Sequence, residues 1–158
     1  MRYIPLVGGG ATLVDDADYE RLSQWSWRRL VTRSGNVYAY RVVYGEPDQF
    51  VYMHREIAQP LPGQIVDHRN RNGLDNRREN LRRATRTQNN ANARARSTRT
   101  PYKGVNLVHG RWMARIKRNC QAVHLGYYDT AEEAARAYDR AARELFGEYA
   151  RLNFEEAT

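Results

Sequence analysis

Apolar and polar positions alternate in short runs over the first third of the chain, a pattern that predicts strands rather than long helices. Arg2–Val7 and Ala11–Val14 are β-prone segments divided by Gly8-Gly9-Gly10. Asp15-Asp16 can cap a short helix carrying Tyr19 and Leu22. Trp25 and Trp27 follow and read as core. Val37–Tyr44 is rich in β-branched and aromatic residues, with turn residues at Ser34-Gly35-Asn36 and Gly45–Asp48 on either side. Phe50–Met53 is the next expected strand, running into a short helical piece at His54–Ala58.

The pattern changes after Pro60 and Pro62-Gly63. Gln64–Asp67 predicts a strand, Asn72-Gly73 a turn, and Asn80–Thr85 a second strand. Thr85 or Thr87 can then cap a helix through Ala91, Ala93 and Ala95. Residues 97–101, Ser-Thr-Arg-Thr-Pro, read as a linker. Beyond it, Tyr102–Val108, Arg111–Arg118 and Gln121–Tyr127 are three strand candidates, with His109-Gly110 and Arg118-Asn119 near the turns. Thr130-Ala131-Glu132-Glu133 is a capping box. The helix it opens carries Ala134, Ala135, Tyr138, Ala141, Ala142 and Leu145 at helical spacing and stops at Gly147. Small alanines on its inner face permit a close approach to a sheet. The expected class is α+β in two modules: residues 1–96 with a motif core at 64–95, and residues 102–158 as a three-stranded antiparallel sheet on one helix.

Composition adds a partner. The chain has 158 residues, 41% hydrophobic and 28% charged, which is enough to bury a core. No apolar run reaches the roughly 18 residues of a membrane span, and the start lacks the pattern of a secretory signal. Cys120 stands alone, so neither an internal disulfide nor a thiolate zinc site is expected. The 26 basic residues outnumber the 18 acids, for a net charge of +8. Only Lys103 and Lys117 are lysines. Arginine offers a planar fork for phosphates and guanine edges, so the bias points to nucleic acid. A GC-rich genome would also enrich arginine, but it would not concentrate the charge. From Asp67 to Arg99 there are ten arginines and three acids, a net +7. Arg77, Arg78, Arg82 and Arg86 in this segment are expected DNA contacts.

The chemistry lies in Val66-Asp67-His68, Asp75-Asn76-Arg77-Arg78-Glu79-Asn80-Leu81 and Thr85-Arg86-Thr87-Gln88-Asn89. With Met53–Ile57 upstream and the Asn89…Asn92 pair, this resembles the HNH endonuclease motif of the phage and intron homing branch. The likeness covers about residues 1–95. Phosphodiester hydrolysis needs an activated water and charge stabilisation at phosphorus. His68 is the candidate general base, since an ordinary imidazole is largely neutral at pH 7. Asp67 supplies a hard anionic oxygen and Asn89 a neutral amide oxygen, which favours Mg²⁺ or Mn²⁺. Neighbours on a regular strand face opposite ways, so Asp67 and His68 serve one site only if the strand ends at His68. The resemblance implies a ββα-metal fold, Asp67 and Asn89 on one metal, and Asn80 bracing the loop that carries His68. Asn89 stands where many members have His, and Asn90 competes with it by one position. His54 reads as structural, His109 as an exposed turn residue, and Cys120 with His124 as too few ligands for zinc.

The last segment has its own likeness. Tyr102-Lys103-Gly104-Val105, Gly110–Ile116, Leu125–Thr130, Ala134–Ala142 and Ala150–Phe154 resemble the ethylene-response-factor (Apetala-two) DNA-binding domain over nearly all of residues 99–155. That family docks its sheet in the DNA major groove. The resemblance places Lys103, Asn106, Arg111, Arg115, Lys117 and His124 on the DNA side. Asn106 and Val108 stand where plant members commonly carry arginine, His124 where they carry an aromatic, and Arg115 where they carry an acid. A different sequence preference, or little preference, follows. Alternation independently puts Arg111, Arg115 and Lys117 opposite Trp112, Ala114 and Ile116. Trp112 and Tyr138 read as core.

Together these readings describe a metal-dependent endonuclease for double-stranded DNA in the cytoplasm of a phage-infected or bacterial cell. One motif per chain implies one strand cut per binding event; a monomer on DNA is expected and a dimer is the alternative, since a double-strand break would take a dimer or reorientation. The alternative from another class is a non-catalytic DNA-binding regulator, and Asp67, His68 and Asn89 argue against it. An RNA-binding role fits the charge but not the sheet module.

Overall fold

Strand β1 (Arg2–Pro5) folds back on β2 (Ala11–Val14) as an antiparallel hairpin. The computed structural model describes residues 1–93, 100–119 and 121–154. It falls into two compact units, Met1–Thr85 and Arg86–Thr158. Ala95, the linker positions 97–99 and Cys120 lie outside the described residues.

In the first unit, helix α1 (Asp16–Ser23) follows the hairpin. Strands β3 (Arg28–Val31), β4 (Val37–Val43) and β5 (Gln49–Tyr52) form an antiparallel meander in the order β3-β4-β5. Helix α2 (Met53–Ala58) ends at Gln59, which takes a left-handed conformation. Strand β6 (Ile65–His68) then pairs antiparallel with β7 (Leu81–Ala84), and a single 3-10 turn at Arg78–Asn80 leads into β7. The core gathers Ile4, Leu6, Val14, Leu22, Trp27, Ala39, Met53, Ile57 and Leu81. It ties the hairpin, the meander, α2 and β7 into one body. One strand that the sequence did not announce appears here, and one expectation needs correction. Arg28-Arg29-Leu30-Val31 is too polar to read as a strand alone; it becomes one because it pairs in register with Val37–Tyr40. Trp25, expected in the core, is 48% exposed under the Arg41 guanidinium, while Trp27 is fully buried and donates its indole N–H to the Leu22 carbonyl at 2.8 Å.

In the second unit, α3 (Arg86–Asn92) begins directly after Thr85, which stands at the cap position. Strands β8 (Val105–Val108), β9 (Arg111–Arg118) and β10 (Gln121–Tyr128) form an antiparallel sheet with β9 in the middle. His109 and Gly110 turn β8 into β9 with positive φ at both positions, as a tight hairpin requires. Helix α4 (Ala131–Phe146) opens with the capping box: the Glu133 N–H donates to Thr130 Oγ1 and the Thr130 N–H to Glu133 Oε2, each at 3.2 Å. Ala134, Ala135, Ala137 and Ala142 line the buried side of α4 against Val105, Ala114 and Ile116. Gly104 is required at its position: its φ is +79°, and a Cβ would strike the Tyr138 ring and come within 2.7 Å of the Arg115 carbonyl. The segment after α4 is held by the buried Asp139 carboxylate, which accepts from the Asn153 N–H at 2.8 Å and the Phe154 N–H at 3.0 Å. Among the described residues, no helix is long and apolar enough to cross a membrane.

Candidate active site and nucleic-acid interface

Strand β6 ends at His68, and the chain leaves it at once for the loop 69–77. Asp67 and His68 are both buried, at 5% and 6% exposure. The β6–β7 register sets Asp67 opposite Arg82, and Arg82 donates to Asp67 Oδ2 from Nε at 2.9 Å and from Nη2 at 2.7 Å. His68 Nε2 lies 3.2 Å from Asn76 Oδ1. The His68 ring meets His54 edge-on at 5.2 Å between centroids, with Tyr38 at 6.0 Å. Burial lowers the His68 pKa, although Asn76, Asp67 and Asp75 act to raise it. His54 is pushed further, down to about 3, by burial first and then by His68 and Arg55. Both rings are therefore neutral at pH 7. The Nδ1 of His54 has no hydrogen-bond partner among the described residues.

The loop after His68 is held from inside. Asn80 accepts the Asn70 N–H at 3.0 Å and donates its amide to the Asp75 carbonyl at 2.7 Å. The Arg69 N–H donates to the Asn80 carbonyl at 2.9 Å. One buried side chain therefore joins both ends of the loop. From outside the loop, Leu13 of β2 donates its N–H to the Leu74 carbonyl and accepts the Asn76 N–H, each at 2.8 Å.

The arginines of this segment are arranged differently from the sequence expectation. Arg82 is 8% exposed and committed to Asp67 rather than presented at the surface. Arg77 grips Asp75 with two bonds of 2.8 and 2.7 Å, which holds the Asp75 carboxyl below the usual range. Arg78 grips Asp18 with two bonds of 2.7 Å. Burial opposes the charge of Asp18, yet Arg78 and Arg21 still hold its carboxyl low. Arg77 and Arg78, expected on DNA, are thus each engaged by a carboxylate in this structure. The forks that suit phosphate suit carboxylates equally, and a charge count cannot separate the two.

In the second unit, Asn89 is half-buried and Asn90 exposed on α3, with Arg86 exposed at its start. The Lys103 ammonium, expected on DNA, is drawn to the Asn90 and Ala91 carbonyls at the end of α3. The sheet does present a basic face. Arg111, Arg115 and Lys117 are exposed, His124 lies directly opposite Arg115, and Asn106 lies opposite Met113 on that same face. A register shift between His124 and Gly126 also brings Tyr127 round to this side, where its ring lies 4.8 Å from that of His124. Sequence alternation missed Tyr127 because the bulge breaks it; Gly126 was the available signal.

Asp67 and His68 stand together at one strand end, while Asn89 lies in the other unit. An HNH endonuclease family model matches residues 51–91, which include Asp67, His68, Asn80 and Asn89. An uncharacterized HNH endonuclease of Acanthamoeba polyphaga mimivirus is 31% identical over 156 residues, covering 96% of this chain and 80% of that protein. The chain belongs to the HNH endonuclease family. An AP2 domain model matches residues 101–148, so the HNH domain is followed by an AP2 domain. A dehydration-responsive element-binding protein of Arabidopsis thaliana is 46% identical over 59 residues, which is 35% of this chain and 29% of that protein. An ethylene-responsive transcription factor of Medicago truncatula is 55% identical over 47 residues, 28% of this chain and 18% of that protein. This chain therefore spans less than a third of these plant relatives, and the likeness is confined to the AP2 domain.

Proposed function

We propose that the chain is a metal-dependent endonuclease that hydrolyses phosphodiesters in double-stranded DNA, one strand per binding event, in the cytoplasm of a bacterial or phage-infected cell. The buried Asp67-His68 pair at the end of β6, inside the stretch that matches the HNH endonuclease family, carries this reading. His68 is the general base: neutral at pH 7, it takes the proton of the attacking water. Asn80 keeps the loop 69–77 in place, so the ring does not drift from the water. Asp67 and Asn89 would hold a divalent cation. Among the described residues, no three His, Cys, Asp or Glu side chains gather as a metal site. One carboxylate and one amide oxygen suit Mg²⁺ or Mn²⁺, which complete their shells with water and substrate phosphate. When bound, such an ion supplies positive charge to the phosphate and the leaving oxygen.

The basic face of β8–β10 holds the duplex through Arg111, Arg115, Lys117, His124 and Asn106. A sheet can enter the major groove, where arginine reads guanine. The test of the whole reading is a supercoiled plasmid incubated with the full chain. Nicked circles are expected with Mg²⁺ and none in excess chelator, and Asn89→Ala should cripple cutting. Undiminished cutting in chelator would overturn the metal role. A dead Asn90→Ala beside an active Asn89→Ala would move the ligand by one position. Binding with no cutting under any metal would return the regulator.

The sheet has a separate test. Replacing Arg111, Arg115 and Lys117 together by alanine should flatten the salt dependence of binding. Each lost phosphate contact lowers the slope of log K against log salt by about 0.9. Arg115→Ala alone should cost about 1–3 kcal/mol on a preferred site and less elsewhere if Arg115 reads a base. A uniform loss would assign it to phosphate. An unchanged slope in the triple variant would remove the sheet from the DNA interface.

A further inference from the structure

A general base must present the ring nitrogen that lacks a proton, and His68 has two. A run of buried hydrogen bonds decides between them. The Thr12 hydroxyl oxygen lies 2.8 Å from the Leu74 carbonyl oxygen. A carbonyl carries no hydrogen, so the one hydroxyl hydrogen of Thr12 points there. The Met53 sulfur, at 3.8 Å, is a weaker acceptor for that same hydrogen, and donation to it has the same consequence. Towards Asn76, Thr12 can then only accept, and the atom 2.8 Å from it is the amide nitrogen Nδ2. The opposite amide orientation would leave two oxygens in contact with no proton between them. Asn76 Oδ1 accordingly faces His68 Nε2 at 3.2 Å. An amide oxygen only accepts, so Nε2 carries the proton, and in a neutral imidazole Nδ1 does not.

Thr12 and Asn76 are both fully buried, so bulk water does not compete for these bonds. The carbonyl that starts the run is also fixed, because Leu74 accepts the Leu13 N–H at 2.8 Å. We propose that Thr12 and Asn76 are positioning residues for the cleavage reaction: they hold His68 as the tautomer protonated at Nε2, so that Nδ1 receives the proton of the attacking water. This rests on the reading of His68 as the general base.

Two substitutions at one position separate the relay from packing. Thr12→Val keeps the shape and loses the hydroxyl, so the Asn76 amide can turn over and drive the proton to Nδ1. Thr12→Ser loses a buried methyl and keeps the hydroxyl. Packing alone makes the serine variant the worse of the two; the relay makes it the valine. The readouts are long-range ¹H–¹⁵N spectra of the labelled full chain, with the His68 signals identified by their loss in His68→Gln, and single-turnover plasmid cleavage. The wild type and Thr12→Ser should show the Nε2–H form and near-equal cutting. Thr12→Val should gain the Nδ1–H form and cut about 10–100-fold more slowly at unchanged DNA affinity. A wild type protonated at Nδ1, or a valine variant that cuts like the serine variant, would overturn the relay even in an active enzyme. An Nε2–H wild type that cuts nothing would overturn the nuclease reading, and with it the catalytic use of the relay.

Discussion

His68→Ala is expected to slow strand cleavage by about 10²–10⁴-fold, the usual worth of a positioned general base. DNA affinity should hold, because the ring is nearly closed to solvent and neutral, so it offers the phosphate backbone no charge. His68→Gln is the companion variant. It fills more of the space beside His54 and can still bond to Asn76, yet it has no basic nitrogen. Both should be equally poor in single-turnover nicking and near wild type in fluorescence anisotropy with duplex DNA. A rate within a few-fold of wild type in either would end the assignment of His68 as base. A loss confined to His68→Ala would assign the ring to packing.

Arg82→Ala should be the most destabilising single change in the basic segment. Its guanidinium and the Asp67 carboxylate are both nearly closed to solvent, at 7% and 6% side-chain exposure. Removing the cation leaves a buried carboxylate without its partner, a change that costs about 3–5 kcal/mol. Arg78→Ala removes a pair whose arginine is 59% exposed, and it should cost far less. Urea unfolding in chelator measures both without help from bound cations. Replacing Arg82 and Asp67 together by Met and Leu should restore part of the loss, since an apolar pair of similar volume avoids the desolvation of two charges. Equal losses for Arg82→Ala and Arg78→Ala would mean that the buried pair is solvated in solution.

The readable parts of this chain were those written in local chemistry. Strand β9 has the bounds that alternation gave it, and the capping box at Thr130 is present with both of its hydrogen bonds. The part given to Asn80 came from the HNH resemblance rather than from local chemistry, and its amide does bond to the loop after His68. The unreadable parts depend on distant partners. Strand β3 owes its extended form to β4, and Trp25 lost its place in the core to Trp27, two residues on. Arg77, Arg78 and Arg82 look like surface charge until Asp75, Asp18 and Asp67 are found beside them. Asn76 is another case. It lay inside the quoted motif with no role, because its partner Thr12 is 64 residues away.

The clamp that Leu13 places on the loop 69–77 joins segments of the first unit that lie some sixty residues apart in sequence. Closing a loop of some sixty residues is among the slower contacts a small domain makes, since its entropic cost precedes any gain. A chain that has paired β6 with β7 holds Asp67 and His68 on a strand, but leaves the loop 69–77 without its clamp. Only the docking of the amino-terminal hairpin completes it. The amides of Leu13 and Asn76 should exchange with solvent as one cooperative unit. If the chain cuts DNA as proposed, cutting waits until β1 and β2 are seated against that loop.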